Sequence, residues 1–211
     1  KTWRDPRAQA VVDFITAPVD HNSWVSPALE RCGDAPFILP SAGFIGYFWR
    51  DSFYPGHTHQ GVDIFGGTEP GQTPVYAAAD GYLTRLENWK SSLILRIPSD
   101  PLQPGRSIWI YYTHMADPQG NSFILPDFPP GTNETFVKAG TILGYQGNYS
   151  GDPDSPVGVH LHISIVQDNG AGQWKDERDA NNTLDPSPYF GRELDGRAVT
   201  AGQLSTCLTE P

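Results

Sequence analysis

Two stretches decide how this chain folds: SIWIYYTH at 107–114 and VGVHLHISIV at 157–166. Both are dense in β-branched and aromatic residues, which fit a pleated, half-buried surface, and the second alternates apolar with polar positions as a strand does. Working outward, SLILRI at 92–97 precedes the first stretch by the Pro- and Gly-bearing PSDPLQPGR, so the two read as a hairpin. TPVYAA at 73–78, GYLTRL at 81–86 and TILGYQ at 141–146 supply further short strands, and GVDIF at 61–65 another. The 22 glycines and 20 prolines make up about one residue in five of 211, punctuation for many turns and not for helices. Near the start, RAQAVVDFI at 7–15 predicts one short helix, stopped by Pro18. The expected class is therefore all-β, an antiparallel sheet core with long groove-forming loops and few short helices.

Length and charge narrow the function. A chain of 211 residues is enough for one domain with a sizeable core. The formal net charge of −10 argues against a nucleic-acid binder, which needs a basic face to displace counterions. No apolar run approaches the 18 or so residues that span a bilayer, so the chain is expected not to be membrane-spanning. The chain opens at Lys1 without a charged and then apolar leader, so any export signal is expected to lie outside this sequence. The charged run KDERD at 175–179 reads as a solvated face, and no internal repeat or low-complexity tract is present.

Three fragments carry chemistry. HQGVD at 59–63, THM around His114 and HLH at 160–162 hold four of the six histidines and one aspartate. In an extended strand alternate side chains share a face, so His160 and His162 project together while Leu161 points away. His59 and Asp63, four apart, share a face if GVDIF continues a strand, and Gly61 between them permits close backbone approach. Two adjacent strands would then bring His59, Asp63 and His162 to one point. A catalytic zinc usually takes three ligands from His, Asp or Glu and leaves a position for water, whereas a closed structural site takes four, commonly with cysteines. The two cysteines, Cys32 and Cys207, lie beside neither a CxxC nor a histidine, so an open Zn2+ site is expected. His160 and His114 are then placed to handle protons. HTH at 57–59 is itself an HxH; the spacing to Asp63 selects His59 as ligand and leaves His57 at the rim.

From about Gly43 to Phe190 the chain resembles the lysostaphin-type (LytM-like) zinc metallopeptidases. The likeness runs in order through GFIGYFWRD, GHTHQGVDIFG, TPVYAAADGYL, YYTHM, VKAGTILGYQGNYSG, VGVHLHISI and LDPSPYF. It implies the duplicated hybrid motif fold and hydrolysis of amide bonds in bacterial cell-wall peptidoglycan. It also implies zinc held by His59, Asp63 and His162, with His114 and His160 assisting the water and the transition state. Export follows from the same resemblance, giving a secreted or cell-envelope protein that works as a monomer on a peptidoglycan peptide substrate. The corresponding division is an N-terminal extension over 1–40, a zinc metallopeptidase domain over 41–190 and a C-terminal tail over 191–211. Two other readings stay open: a catalytically silent zinc-containing module that binds wall peptide or regulates a partner hydrolase, and a domain whose zinc is only structural.

Finer expectations follow. Cys32 and Cys207 either form a disulfide tying extension to tail or remain two buried thiols. The segment ADPQGNSFILPDFPPGTNETF at 116–136 is longer than the family's usual connection; it packs outside the sheet or lines the groove rim. NYSGDPDSPVG at 148–158 must end beside the metal and is expected to form a groove wall. Among Phe48, Trp49, Tyr111 and Tyr112, Tyr112 is expected to bring a polar group near the site, because it shares the face of His114 in a regular strand.

Overall fold

The β-branched and aromatic stretches pair as antiparallel strands, and among the described residues only two short α-helices accompany them. The structure is a computed structural model and describes residues 6–52, 55–200 and 203–208. Helix α1 (Pro6–Thr16) comes first, followed by β1 (Phe44–Tyr47), β2 (Val62–Phe65), β3 (Pro74–Tyr76), β4 (Gly81–Thr84), β5 (Leu93–Ile97) and β6 (Ile108–Thr113). After these come β7 (Thr135–Val137), β8 (Ile142–Tyr145), β9 (Leu161–Gln167), β10 (Thr183–Leu184) and α2 (Ser187–Phe190). The main sheet runs β1-β2-β9-β6-β5-β4-β7, with β10 also on β9, while β3 and β8 form a separate pair. Every strand pairing is antiparallel. No helix among the described residues is long and apolar enough to cross a membrane.

Alternation sorts the central strands onto two faces. Leu93, Leu95, Ile108, Ile110, Tyr112, Ile163 and Ile165 enter the principal core with Val75 and Leu143 of the β3–β8 pair. The opposite face carries Ile94, Trp109 and Val166, covered at one end by Trp89 and Trp174. Its other end stays open to the histidines. The hairpin read from SLILRI and SIWIYYTH is β5–β6, in register from Leu93 with Tyr112 to Ile97 with Ile108.

The described part of the first 40 residues, from Pro6 on, is built into this body. On α1, Val11 and Phe14 are one helical turn apart and both buried, packing with Phe44 and Phe65 of the β1–β2 pair. Arg7 pairs with Asp51 and donates to the carbonyl of Gly196, 2.7 Å away, so the helix also meets the C-terminal tail. Cys32 and Cys207 form a disulfide with Cα atoms 5.2 Å apart across 175 residues of sequence. Linking such distant residues contributes about 3–5 kcal/mol in the chain-entropy account. Cys32→Ser is accordingly expected to lower the melting temperature by roughly 10 °C, at about 2–4 °C per kcal/mol for a domain this size. Differential scanning calorimetry with and without reductant measures it; identical curves would remove the disulfide from the stability argument.

The long segment 116–136 follows the plainer of its two expectations. Ile124 and Phe128 are buried in the principal core, and Leu125 N–H donates to Leu143 O at 2.9 Å. Ile124 bridges to Gly144 of β8 while Phe136 on β7 is exposed, and no residue of the segment lines the cleft.

Candidate metal centre and cleft

Register brings the site together. Asp63 of β2 lies directly opposite His162 of β9, and His162 lies directly opposite Thr113 of β6. Directly opposed residues share a face, so one row across three strands carries a carboxylate, an imidazole and a hydroxyl on the side away from the main core. His59 is not on this row, because β2 begins only at Val62; the expectation that strand spacing aligns His59 with Asp63 is corrected. A loop delivers it instead. His59 N–H donates to Asp51 O at 2.8 Å and its carbonyl accepts from Arg50 N–H at 2.9 Å. Its ring is then set by Nδ1, which donates to Phe48 O at 2.8 Å and turns Nε2 toward the row.

Three donor atoms converge there. His59 Nε2 lies 3.2 Å from Asp63 Oδ1 and 3.1 Å from His162 Nδ1, and His162 Nδ1 lies 2.7 Å from Asp63 Oδ1. Donors about 2.0–2.2 Å from a tetrahedral zinc stand about 3.3–3.5 Å apart, so this triangle needs only slight opening to fit the ion. The set is two imidazoles and a carboxylate, all buried. A second group, Glu30, Cys32 and Cys207, is no alternative, since both its sulfurs are in the disulfide. His57 lines the cleft outside the triangle, its ring centroid 6.4 Å from that of His59.

Electrostatics follow from packing a carboxylate among imidazoles. Burial alone would raise the Asp63 carboxyl, yet neighbouring His59 and His160 and the hydrogen bonds from His162 and His59 hold it well below the usual range. For His59, burial opposes the charged form but the charge and hydrogen bond of Asp63 outweigh it, and its pKa rises. Burial wins at His162, which is lowered despite its bond to Asp63. Thus one carboxylate serves two rings, and the folded chain keeps it ionised, the form a metal ligand requires.

The other two imidazoles stand beside the triangle. His114 ends β6 with φ of 71°, a left-handed conformation that breaks strand alternation. That break is why Tyr112 does not share its face. Tyr112 is fully buried in the main core, its hydroxyl accepting from Ala78 N–H at 2.9 Å, so its expected place near the site is corrected. His114 swings to the histidine side, its ring centroid 4.5 Å from that of His160 and 6.2 Å from that of His162. Its Nδ1 donates to Tyr149 O at 2.7 Å, which leaves Nε2 as the unprotonated nitrogen. Burial pushes the His114 pKa down to about 3, with His160 and His162 adding to the effect, so the ring is neutral at physiological pH. His160, one residue ahead of β9, likewise donates from Nδ1 to Gly158 O at 2.6 Å, and its ring stacks on Phe65. Its Nε2 is 3.7 Å from Asp63 Oδ1.

Around these rings lies an open cleft of about 580 Å³, a volume suited to a few peptide residues. Ser150 and Val157 contribute to its wall, so segment 148–158 reaches the site, and Tyr149 within it orients His114. Of the four aromatic residues singled out from sequence only Tyr111 lines the cleft; Phe48 is core, and Trp49 is buried with Nε1 donating to Thr183 Oγ1 at 2.9 Å. Sequence reasoning missed Tyr47, Gln60, Glu177 and Arg178, which also line it. Glu177 and Arg178 belong to KDERD, and reading that run as a solvated face is corrected for Glu177, which is partly buried. The available signal was Trp174 just ahead of it, an anchor that pulls the run onto the sheet.

Gly61 shows how tightly the ligand segment approaches β9. A Cβ at this position would sit 1.9 Å from Ile163 O and 3.0 Å from His162 Nε2. The backbone cannot yield without parting β2 from β9. Gly61→Ala is expected to lower the candidate centre's affinity for zinc by about 10–100-fold, the usual cost of disturbing the support of a metal ligand. Competition with a fluorescent chelator measures it, and wild-type affinity would show that the pair tolerates the methyl.

No family model and no curated protein matches the sequence. Among solved structures the chain is similar to lysostaphin-type peptidase domains. One is the catalytic domain of the antimicrobial peptidase lysostaphin from Staphylococcus simulans, 21% identical over 70% of this chain and 90% of that one, with a TM-score of 0.44. Another is the catalytic domain of the prophage-encoded protein EnpA from Enterococcus faecalis, 18% identical over 72% of this chain and 96% of that one, TM-score 0.39. Csd3 from Helicobacter pylori is 17% identical over 83% of this chain and 38% of its own, TM-score 0.42. Likenesses of this degree say nothing of activity.

Proposed function

We propose that this protein is a zinc-dependent endopeptidase that hydrolyses amide bonds in bacterial cell-wall peptidoglycan peptides. The observation that carries the reading is the triangle of His59 Nε2, Asp63 Oδ1 and His162 Nδ1 with two further imidazoles beside it, each holding its Nδ1 proton on a backbone carbonyl. His59, Asp63 and His162 would hold the ion, and the domain would extend over 41–190. When bound, zinc supplies Lewis acidity toward the scissile carbonyl and lowers the pKa of water to about 7.

The chain's own residues do the rest. With their Nδ1 protons committed, His114 and His160 face the cleft through Nε2, one able to accept a proton from the attacking water and return it to the leaving nitrogen. The other, once protonated, steadies negative charge on the former carbonyl oxygen. Phe65 stacked on His160 and Tyr149 O on His114 restrict both rings to these positions. A module that only bound peptide would have no use for two such bases. The peptidoglycan substrate rests on the ordered sequence resemblance. Secretion or attachment to the envelope accords with the disulfide, which persists in oxidising compartments.

Purified peptidoglycans of several cross-link chemistries, digested and analysed by mass, test this. Fragments ending at a cleaved amide are expected, lost with chelator and regained with zinc. Intact walls in every preparation would favour the silent wall-binding module.

A further inference from the structure

Beyond the metal-binding triangle, the cleft is bounded by segment 168–182, which is pinned from both sides. Trp174 packs against Trp89 and Trp109, with ring centroids 6.2 and 6.4 Å away, and Trp89 in turn meets Tyr111 edge-on at 5.6 Å. Lys175 ties back to β9, its N–H to Gln167 O at 3.1 Å and its Nζ to Gln167 Oε1 at 3.0 Å. At the far end Gln60, between the ligands His59 and Asp63, donates to Arg178 O at 2.9 Å. Asn182 Nδ2 closes the turn by donating to Asp176 O at 3.0 Å. Glu177 is therefore held in the cleft wall by a fixed backbone.

Its carboxylate accepts from its own backbone N–H, and the charge of Arg178 acts on it from the next residue. Arg178, the adjacent cation, is forked onto Asp176 at 2.9 and 2.8 Å. Among the described residues no ion pair and no hydrogen bond from another side chain engages Glu177. Burial raises its carboxyl pKa, and the like charge of Asp176 adds to the rise against its own backbone N–H and Arg178. Tyr111 lines the same cleft, close enough for the Glu177 charge to act on its phenol, and its hydroxyl is already committed to Ser92 Oγ at 2.9 Å. Directly across from Tyr111 on β9, Ser164 is 2% exposed and its Oγ has no hydrogen-bond partner. An anionic oxygen beside an aromatic ring matches a primary ammonium, which gains both an ion pair and a cation–π contact when desolvated. A neutral amide offers Glu177 neither. The other charged or titratable groups facing this space are the five histidines of the cleft, Asp63, Arg178 and Tyr47.

We propose that Glu177 and the Tyr111 ring form a specificity subsite for a substrate ammonium group, so that the amide hydrolysed lies close to a free amine. The inference rests on the hydrolytic reading above for its meaning in catalysis, but not for the binding itself. In a wall peptide the amine would be the side chain of an uncross-linked diamino acid or the N-terminus of a bridge.

Four synthetic wall peptides distinguish these sources, with the side-chain amine or the N-terminal amine free or acetylated. Their kcat/KM with zinc-loaded protein is compared with their Kd for zinc-loaded His114→Ala, read from calorimetry. Acetylating the recognised amine is expected to lower kcat/KM and weaken binding by roughly ten- to thirtyfold, the range of a desolvated cation–π and charge contact. Glu177→Gln should erase that preference in both readouts with zinc content and melting temperature unchanged, and Tyr111→Leu should reduce it with zinc content unchanged, its melting temperature falling with the lost Trp89 packing and Ser92 hydrogen bond. Equal treatment of free and blocked amines by the wild type, or a preference that survives Glu177→Gln, overturns the subsite. If no peptide is cut, hydrolysis fails while the binding arm still decides the subsite; no binding to any peptide overturns it too.

Discussion

His114→Ala is expected to slow release of peptidoglycan fragments by about 10²–10⁴-fold, the usual contribution of a positioned proton carrier, while zinc content stays at the wild-type level. The two halves of that result come from geometry. His114 is outside the donor triangle, its ring centroid 6.2 Å from that of His162, so its removal leaves all three donors in place. It is nevertheless in the cleft, with Nδ1 fixed on Tyr149 O and Nε2 free of its proton. Truncation strands the Tyr149 carbonyl, at a cost of about 1–3 kcal/mol if water does not replace the ring, so a modest fall in melting temperature is also expected. Initial rates on a defined cross-linked peptide, with metal analysis of the same sample, measure both. A variant with unimpaired rate would take His114 out of the chemistry, and one that had lost zinc would make it a structural support.

His162→Ala should behave in the opposite way, losing zinc and activity together. Its Nδ1 is the donor closest to Asp63 Oδ1, at 2.7 Å, and also lies 3.1 Å from His59 Nε2, so its loss leaves a two-donor edge. Zinc affinity should fall by more than the about 10–100-fold that removal of an outer-sphere partner costs. Hydrolysis at equal added zinc should drop to the level of chelator-treated protein. Equilibrium dialysis against zinc, run beside the activity assay, separates this variant from His114→Ala; retention of one ion per chain would refute the ligand assignment. The pair of variants therefore distinguishes holding the metal from handling the proton.

Much of the strand framework could be read locally. SLILRI and SIWIYYTH pair as a hairpin because the alternation of Leu93, Leu95, Ile108 and Ile110 needs no distant information. The site was legible as a set of residues but not as a geometry. Strand spacing explained Asp63 and His162, which lie in register on neighbouring strands. It did not explain His59, which a loop places through Phe48, Asp51 and Arg50, nor His114, whose positive φ turns it against the alternation that misassigned Tyr112.

Composition and local pattern, then, determined an acidic, strand-rich chain with two motifs suited to zinc and a third histidine suited to proton handling, because period-two alternation and ligand chemistry are properties of neighbouring residues. Tertiary structure decided which nitrogen His59 and His114 present, since that depends on the carbonyls of Phe48 and Tyr149 in other turns of the chain, whereas His160 is set locally by Gly158 O, two residues before it. It also decided that Glu177 and the oppositely charged Arg178 both line the cleft, with the Arg178 guanidinium spent on Asp176. A charged run reads the same whether it faces water or a groove, and only the packing of Trp174 on Trp89 and Trp109 separates the two.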